Sequence, residues 1–180
     1  FNLVYCANTE GAATVAELHP ALMGVCDLSV EKVDIERASQ ACELIFLALP
    51  HKTAMQTAKG LLERGIKVVD LSADYRLNQE NYEAFYCEHE DLDNLSHAIY
   101  SIPELHGEIA KGSRLIANPG CHVTASLMAL APFLDHIDLT NPIFIDSKTG
   151  VSGAGKSPSA TVHYVNVNDN INCYNIIKHR

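Results

Sequence analysis

The 180-residue chain has no tryptophan, no basic run and no apolar run longer than Leu44–Leu49. A helix that crosses a bilayer needs about 20 apolar residues, so no transmembrane helix is expected. The six cysteines (Cys6, Cys26, Cys42, Cys87, Cys121, Cys173) include no C-x-x-C pair and no regular spacing. That pattern excludes a zinc knuckle and a disulfide framework and makes a reducing cytoplasm the expected location. The nine histidines include no H-x-x-x-H pair, so no protein-held metal is expected. Thirteen Lys plus Arg against 22 Asp plus Glu leave a net charge of −9. A chain this acidic lacks the field that attracts nucleic acid or an anionic membrane surface.

Apolar residues make up 47% of the chain and charged residues 19%, which supports a sizeable core and excludes wholesale disorder. The first two thirds alternate strand-like and helix-like segments. Phe1–Tyr5 reads as a strand, and Leu44–Leu49 reads as a parallel strand buried on both faces. Helical spacing of Ala54, Ala58, Leu61 and Leu62 predicts a helix over His51–Arg64, stopped by Gly65. Ile66–Leu71 and Arg114–Asn118 are further strands, the latter running through Pro119-Gly120 into a helix over about Cys121–Leu134. This succession predicts a doubly wound α/β sheet, a Rossmann-like domain over 1–120. The acidic stretch Glu80–Asp93, with Tyr82, Phe85 and Tyr86 interleaved, reads as a surface helix and loop whose charge needs no functional reading. Past Asn141-Pro142 the character changes: Pro142–Asp146 reads as a strand and Ala160–Arg180 as mostly sheet, the start of a second domain. The chain opens on Phe1 without an initiator Met and closes on Lys178-His179-Arg180. It reads as an excerpt cut inside folded structure at both ends.

Cys121 is the most informative side chain. It follows a strand and the breaker pair Pro119-Gly120, at the first turn of a helix, where unpaired N–H groups and the positive end of the helix dipole favour a thiolate. Those N–H groups could also hold an oxyanion. A small buried cysteine at a helix start is the alternative. The glycines and hydroxyls of Ser147–Lys156, flanked by Lys148 and Lys156, form either an anion-binding nest or a flexible turn. His179-Arg180 is either an acid/base with an anion-gripping partner or a solvated surface pair. His51 follows Pro50 where α/β sheets bind ligands. Beside Cys121, His122 reads as a neighbour rather than a base. Asp70, Ser72 and Asp74 form a polar strand end or a helix cap.

Together, Asn118-Pro119-Gly120-Cys121, the run Ser147–Lys156 and His179-Arg180 resemble the N-acetyl-gamma-glutamyl-phosphate reductases, an arginine-biosynthesis family within the aspartate-semialdehyde dehydrogenase superfamily. Ala16–Pro20, Phe46–His51, Asp70–Leu77 and Pro103–Leu105 match in the same order. The resemblance implies a nucleotide-binding α/β domain over 1–120 lacking its first βα unit, followed by part of an α+β catalytic and dimerisation domain over 121–180. It implies NADPH as cofactor, an acyl-phosphate substrate and a dimer or tetramer when intact. Cys121 falls on the nucleophile and His179 on an acid/base; Arg180, Asn118 and Lys156 fall among substrate-binding positions. Leu49, Pro50, His51, Ser152 and Gly153 fall beside the cofactor. Aspartate-semialdehyde dehydrogenase and a non-catalytic fragment of such an enzyme are the alternatives. Two departures stand out. Cys6-Ala7-Asn8-Thr9 carries no Arg where relatives often place Ser and Arg beside the NADP 2′-phosphate, and His122-Val123 replace an aromatic–Pro pair.

Overall fold

The computed structural model describes residues 2–155 and 159–174, so Lys156, His179 and Arg180 lie outside the described residues. The chain divides into two compact units, Phe1–Gly120 and Cys121–Arg180.

The first unit runs β1 (Cys6–Asn8), β2 (Ala13–Thr14), α1 (Val15–Leu18), β3 (Ser29–Lys32), α2 (Ile35–Ala41), β4 (Leu44–Leu47), α3 (Thr53–Glu63), β5 (Lys67–Asp70), α4 (Gln79–Phe85), α5 (Leu92–His97), β6 (Ile99–Tyr100), α6 (Pro103–His106) and β7 (Leu115–Ala117). Local capping sets several of the helix starts. Thr14 and Glu17 close a reciprocal capping box on α1, and Asp34 and Asn78 accept from the third N–H of α2 and α4. One sheet has the order β1-β3-β2, with β1 and β3 parallel; the other is β4-β5-β7-β6, parallel throughout. The mixed α/β architecture with a parallel sheet is therefore the one the alternating pattern implies.

The core lies on one face of the four-stranded sheet. Met55, Ala58, Leu61 and Leu62 of α3 pack against Leu47, Val68, Leu115 and Ala117, the stripe that a 3.6-residue period places on one side of a helix. The helix stops where Gly65 takes φ +85°, which costs glycine nothing. The Arg114 guanidinium donates to the Leu62 carbonyl there.

Several sequence expectations are corrected. Of the strand expected over Phe1–Tyr5, residues 2–5 form none, and the first described strand is β1: the partner strand β3 sets the register Cys6↔Val30 to Asn8↔Lys32. Nor is the Leu44–Leu49 strand buried on both faces, because Phe46 is 64% exposed. β4 is an edge strand, and alternation sends Leu47 into the core and Phe46 to the opposite face. The acidic stretch is not simply surface: Tyr82, His89 and Asp91 are buried.

The second unit contains α7 (Cys121–Leu130), a 3-10 segment over Ala131–His136, short turns at Val151–Ala154 and Ala160–Val162, and α8 (Tyr164–Val167). Among the described residues it has no strand. The strand expected over Pro142–Asp146 and the sheet expected from Ala160 are therefore not present there, and Phe144 is 93% exposed. Isolated β-propensity forms no ladder without a partner strand to satisfy its N–H and C=O groups.

Candidate active site

The carboxyl ends of three parallel strands stand in register, Leu47 beside Asp70 beside Ala117. The segment that leaves β5, Asp70–Arg76, ties all three together. At its base, Asp70 accepts from the Ser72 N–H at 3.0 Å and the Ser72 hydroxyl at 2.6 Å. The Asp74 N–H donates back to the Ser72 oxygen at 3.1 Å. Asp74, fully buried, reaches the start of α3 and accepts from the Lys52 N–H at 2.9 Å, the Met55 N–H at 2.8 Å and the Tyr82 hydroxyl at 2.7 Å. Asp74 is thus a helix cap, but for a helix that precedes it in the chain. The third tie is Arg76, whose Nε donates to the Asn118 carbonyl at 2.7 Å and whose Nη2 donates to Leu71 O at 2.6 Å. A Cβ on Gly120 would stand 3.3 Å from Arg76 Nη1, so glycine gives the guanidinium room at the residue before Cys121.

A second layer of polar contacts surrounds Asp74. Tyr75 donates to Asp91 at 2.7 Å, and Asn94 donates to the same carboxylate. The Asp91 N–H donates to His89 Nδ1 at 3.2 Å, which leaves His89 Nε2 to donate to the Asp74 carbonyl at 2.9 Å. Burial, reinforced by their carboxylate partners, pushes the Tyr75 and Tyr82 phenols well above the ordinary range, so both remain donors.

Burial also pushes the Asp70 carboxyl up, against the opposing pull of the Ser72 hydrogen bonds. A carboxyl whose folded pKa exceeds its unfolded pKa gives its full contribution to stability below the unfolded value. That contribution is lost as pH rises through the folded value. Asp70→Asn, which does not titrate, is therefore expected to gain stability relative to the parent as pH rises from about 4 to about 7. Urea-unfolding midpoints across that range check this; a gain toward acid instead would mean that the Ser72 hydrogen bonds outweigh burial.

At the end of β4, the Leu49-Pro50-His51 segment is half-buried to exposed. The His51 ring lies edge-on to Tyr86 with centroids 5.5 Å apart, and Tyr86 stacks on Tyr82 at 5.1 Å. The next residue, Lys52, has φ +69° and ψ −51°, a conformation that only glycine adopts cheaply. At the end of β6, the buried Ser101 hydroxyl has no protein partner among the described residues. His51 and the orphaned Ser101 hydroxyl lie at the carboxyl edge of the sheet, the edge at which α/β sheets bind a dinucleotide. At β1, the Asn8 side chain is engaged by the Glu10 and Gly11 N–H groups, and no cation of Cys6–Thr9 marks a 2′-phosphate site.

In the second unit, Cys121 is the first residue of α7 and is exposed. His122, beside it, meets the Ser147 hydroxyl through Nδ1 and the Tyr174 hydroxyl through Nε2, both at 2.5 Å. No sequence spacing announces that triad. In the glycine-rich stretch, the Gly153 and Gly155 N–H groups donate within their own turn, to Gly150 O and Ser152 O, rather than into a shared hollow. Lys148 pairs with Asp146 at 2.5 Å. Ser152 and Gly153 are exposed. The sequence offers Asp74 as a helix cap but not that the capped helix is the preceding α3, and it gives no sign of the Arg76–Asn118 tie; these partners stand 19 and 42 residues away.

Comparison with known proteins supplies the context for this geometry. Residues 1–113 match the family described as semialdehyde dehydrogenase, NAD binding domain, and residues 121–180 match semialdehyde dehydrogenase, dimerisation domain. The N-acetyl-gamma-glutamyl-phosphate reductase of Sulfurimonas denitrificans is 54% identical over 100% of this chain and 54% of its own length. That of Campylobacter curvus is 53% identical over 100% of this chain and 53% of its own length. The chain thus spans about half the length of the curated relatives it matches. Among solved structures, the aspartate semialdehyde dehydrogenase of Candida albicans with NADP matches with a TM-score of 0.51 at 14% identity, over 76% of this chain and 40% of that one, a likeness of fold. With more than half its residues matched by the nucleotide-binding domain, the chain belongs to the semialdehyde dehydrogenase family.

Proposed function

We propose that the whole protein carries out NADPH-dependent reductive dephosphorylation of N-acetyl-glutamyl 5-phosphate to N-acetyl-glutamate 5-semialdehyde, a step of arginine biosynthesis. The observation that carries this reading is Cys121: an exposed thiol at the first position of α7, directly after Asn118-Pro119-Gly120, in a chain more than half identical to reductases of that name.

In this reading residues 1–120 bind the cofactor and 121–180 begin the catalytic and dimerisation domain of a cytoplasmic homo-oligomer. Cys121 Sγ attacks the acyl carbon, inorganic phosphate departs with the electrons of the broken C–O bond, and a thioester remains on the enzyme. Bound NADPH supplies the hydride equivalent that reduces the acyl group to the aldehyde level. The Cys121 sulfur is then expelled as the aldehyde forms, a role that suits a thiolate because it is both a good nucleophile and a good leaving group. His179 donates and removes the proton at the reacting oxygen. Arg180, Asn118 and Lys156 hold the substrate's phosphate and carboxylate. Leu49, Pro50, His51, Ser152 and Gly153 line the cofactor side. His179, Arg180 and Lys156 take these roles from the family resemblance alone.

Turnover by the full-length protein with NADPH deuterated at the transferred position tests the reaction. Label is expected at the aldehyde carbon, with one phosphate released per aldehyde. Phosphate release without label transfer would identify a cysteine hydrolase and overturn the reading.

A further inference from the structure

We propose that Asp74 is a positioning residue for cofactor binding, holding His51 and the end of β4 in place through two separate routes. This inference rests on the reading that residues 49–51 face the dinucleotide.

The first route runs through the backbone. Lys52 has a φ of +69°, a conformation that an L-residue keeps only when its surroundings enforce it. The enforcing group is the Asp74 carboxylate, which takes the Lys52 N–H on both oxygens, at 2.9 and 3.1 Å, and the Met55 N–H at 2.8 Å. Lys52, the residue before α3, provides no side-chain cap, so the side-chain anchor of the helix start comes from the segment after β5. The second route runs through side chains: Asp74 fixes the Tyr82 hydroxyl at 2.7 Å, Tyr82 stacks on Tyr86, and Tyr86 meets the His51 ring. Both routes start on one carboxylate and end on His51. The Asp74 N–H is itself tied to Ser72, which is tied to Asp70 at the end of β5. The His51 turn is therefore referenced to the neighbouring strand as well as to its own helix, whose Ala54 N–H donates to the Pro50 carbonyl at 2.9 Å.

The test is equilibrium binding of NADPH to the full-length protein, followed by the enhancement of reduced-nicotinamide fluorescence. Variants are compared at temperatures where circular dichroism shows them folded. Asp74→Asn keeps one acceptor oxygen and loses the charge, and is expected to weaken NADPH binding about tenfold, the worth of one charge-assisted hydrogen bond. In turnover it should raise the KM for NADPH while kcat changes little. Lys52→Gly removes the conformational cost that Asp74 opposes. It should leave the parent's affinity almost unchanged yet recover part of the loss in the Asp74→Asn background. Tyr82→Phe, which keeps the ring stack and deletes only the hydroxyl, should weaken binding about threefold, because it cuts the side-chain route and leaves the backbone route intact; it provides the reading if Asp74→Asn does not fold. Unchanged NADPH affinity in Asp74→Asn, or in Tyr82→Phe where Asp74→Asn does not fold, with only a lower melting temperature, overturns the proposal and leaves a purely structural cap. A parent protein that binds no dinucleotide overturns the reductase reading as well, so the two failures are distinguishable.

Discussion

Replacing Cys121 with serine is expected to lower acyl-phosphate reduction by roughly ten-thousandfold or more, the scale at which loss of a covalent nucleophile is felt. A serine hydroxyl does not ionise near neutral pH without a dedicated base and is a poor leaving group from the acyl adduct. Cys121 is exposed at the first position of α7, and serine is well tolerated at helix starts, so the melting temperature should not change. The same variant identifies the alkylation site. Iodoacetamide should inactivate the parent, and prior substrate binding should protect it. Burial pushes the Cys6 and Cys42 thiols up, which slows their alkylation. Exposed Cys173 provides the control: Cys173→Ser should be inactivated as fast as the parent. Full turnover by Cys121→Ser would remove the thioester chemistry.

The largest loss of stability is expected at Asp74. Asp74→Ala leaves the Lys52 and Met55 N–H groups and the Tyr82 hydroxyl without their acceptor in a fully buried site. Loss of a helix cap costs about 1 kcal/mol and stranding buried donors costs more, for an expected loss of about 3 kcal/mol. Asp74→Asn, keeping one oxygen for the two N–H groups, should lose about 1 kcal/mol. Denaturant unfolding of the full-length protein gives both values. Equal losses for Ala and Asn would show that the charge, not the acceptor, is what the site needs.

Much of the first unit can be read from side-chain periodicity. Ala54, Ala58, Leu61 and Leu62 mark α3 and its buried face, and the strand-like segments Ile66–Leu71 and Arg114–Asn118 mark the inner strands. Pro119-Gly120 marks the start of α7 at Cys121. Where the reading went astray, the deciding partner lay elsewhere in the chain. Strand β1 lies at Cys6–Asn8 because β3 pairs there, and Phe46 is exposed because β4 ends the sheet. Pro142–Asp146 has the composition of a strand, but no strand among the described residues lies alongside it. In the acidic stretch, net charge concealed the buried Tyr82 and its bond to Asp74. Of the candidate site, Cys121 was visible from local sequence, because a strand, a breaker pair and a helix adjoin there. The Asp74–Lys52, Arg76–Asn118 and His122–Tyr174 contacts span 22, 42 and 52 residues and leave no local signature.

The distant cap on α3 also bears on the order in which the molecule forms. A helix of this length is marginal in isolation, and α3 has no side-chain cap from its own neighbours. As the chain emerges from the ribosome, residues 53–63 are exposed before the carboxylate that completes their first turn has left the exit tunnel. The amino end of α3 must therefore fray until β5 docks and brings Asp74 into place, making formation of that turn and assembly of the parallel sheet a single cooperative event.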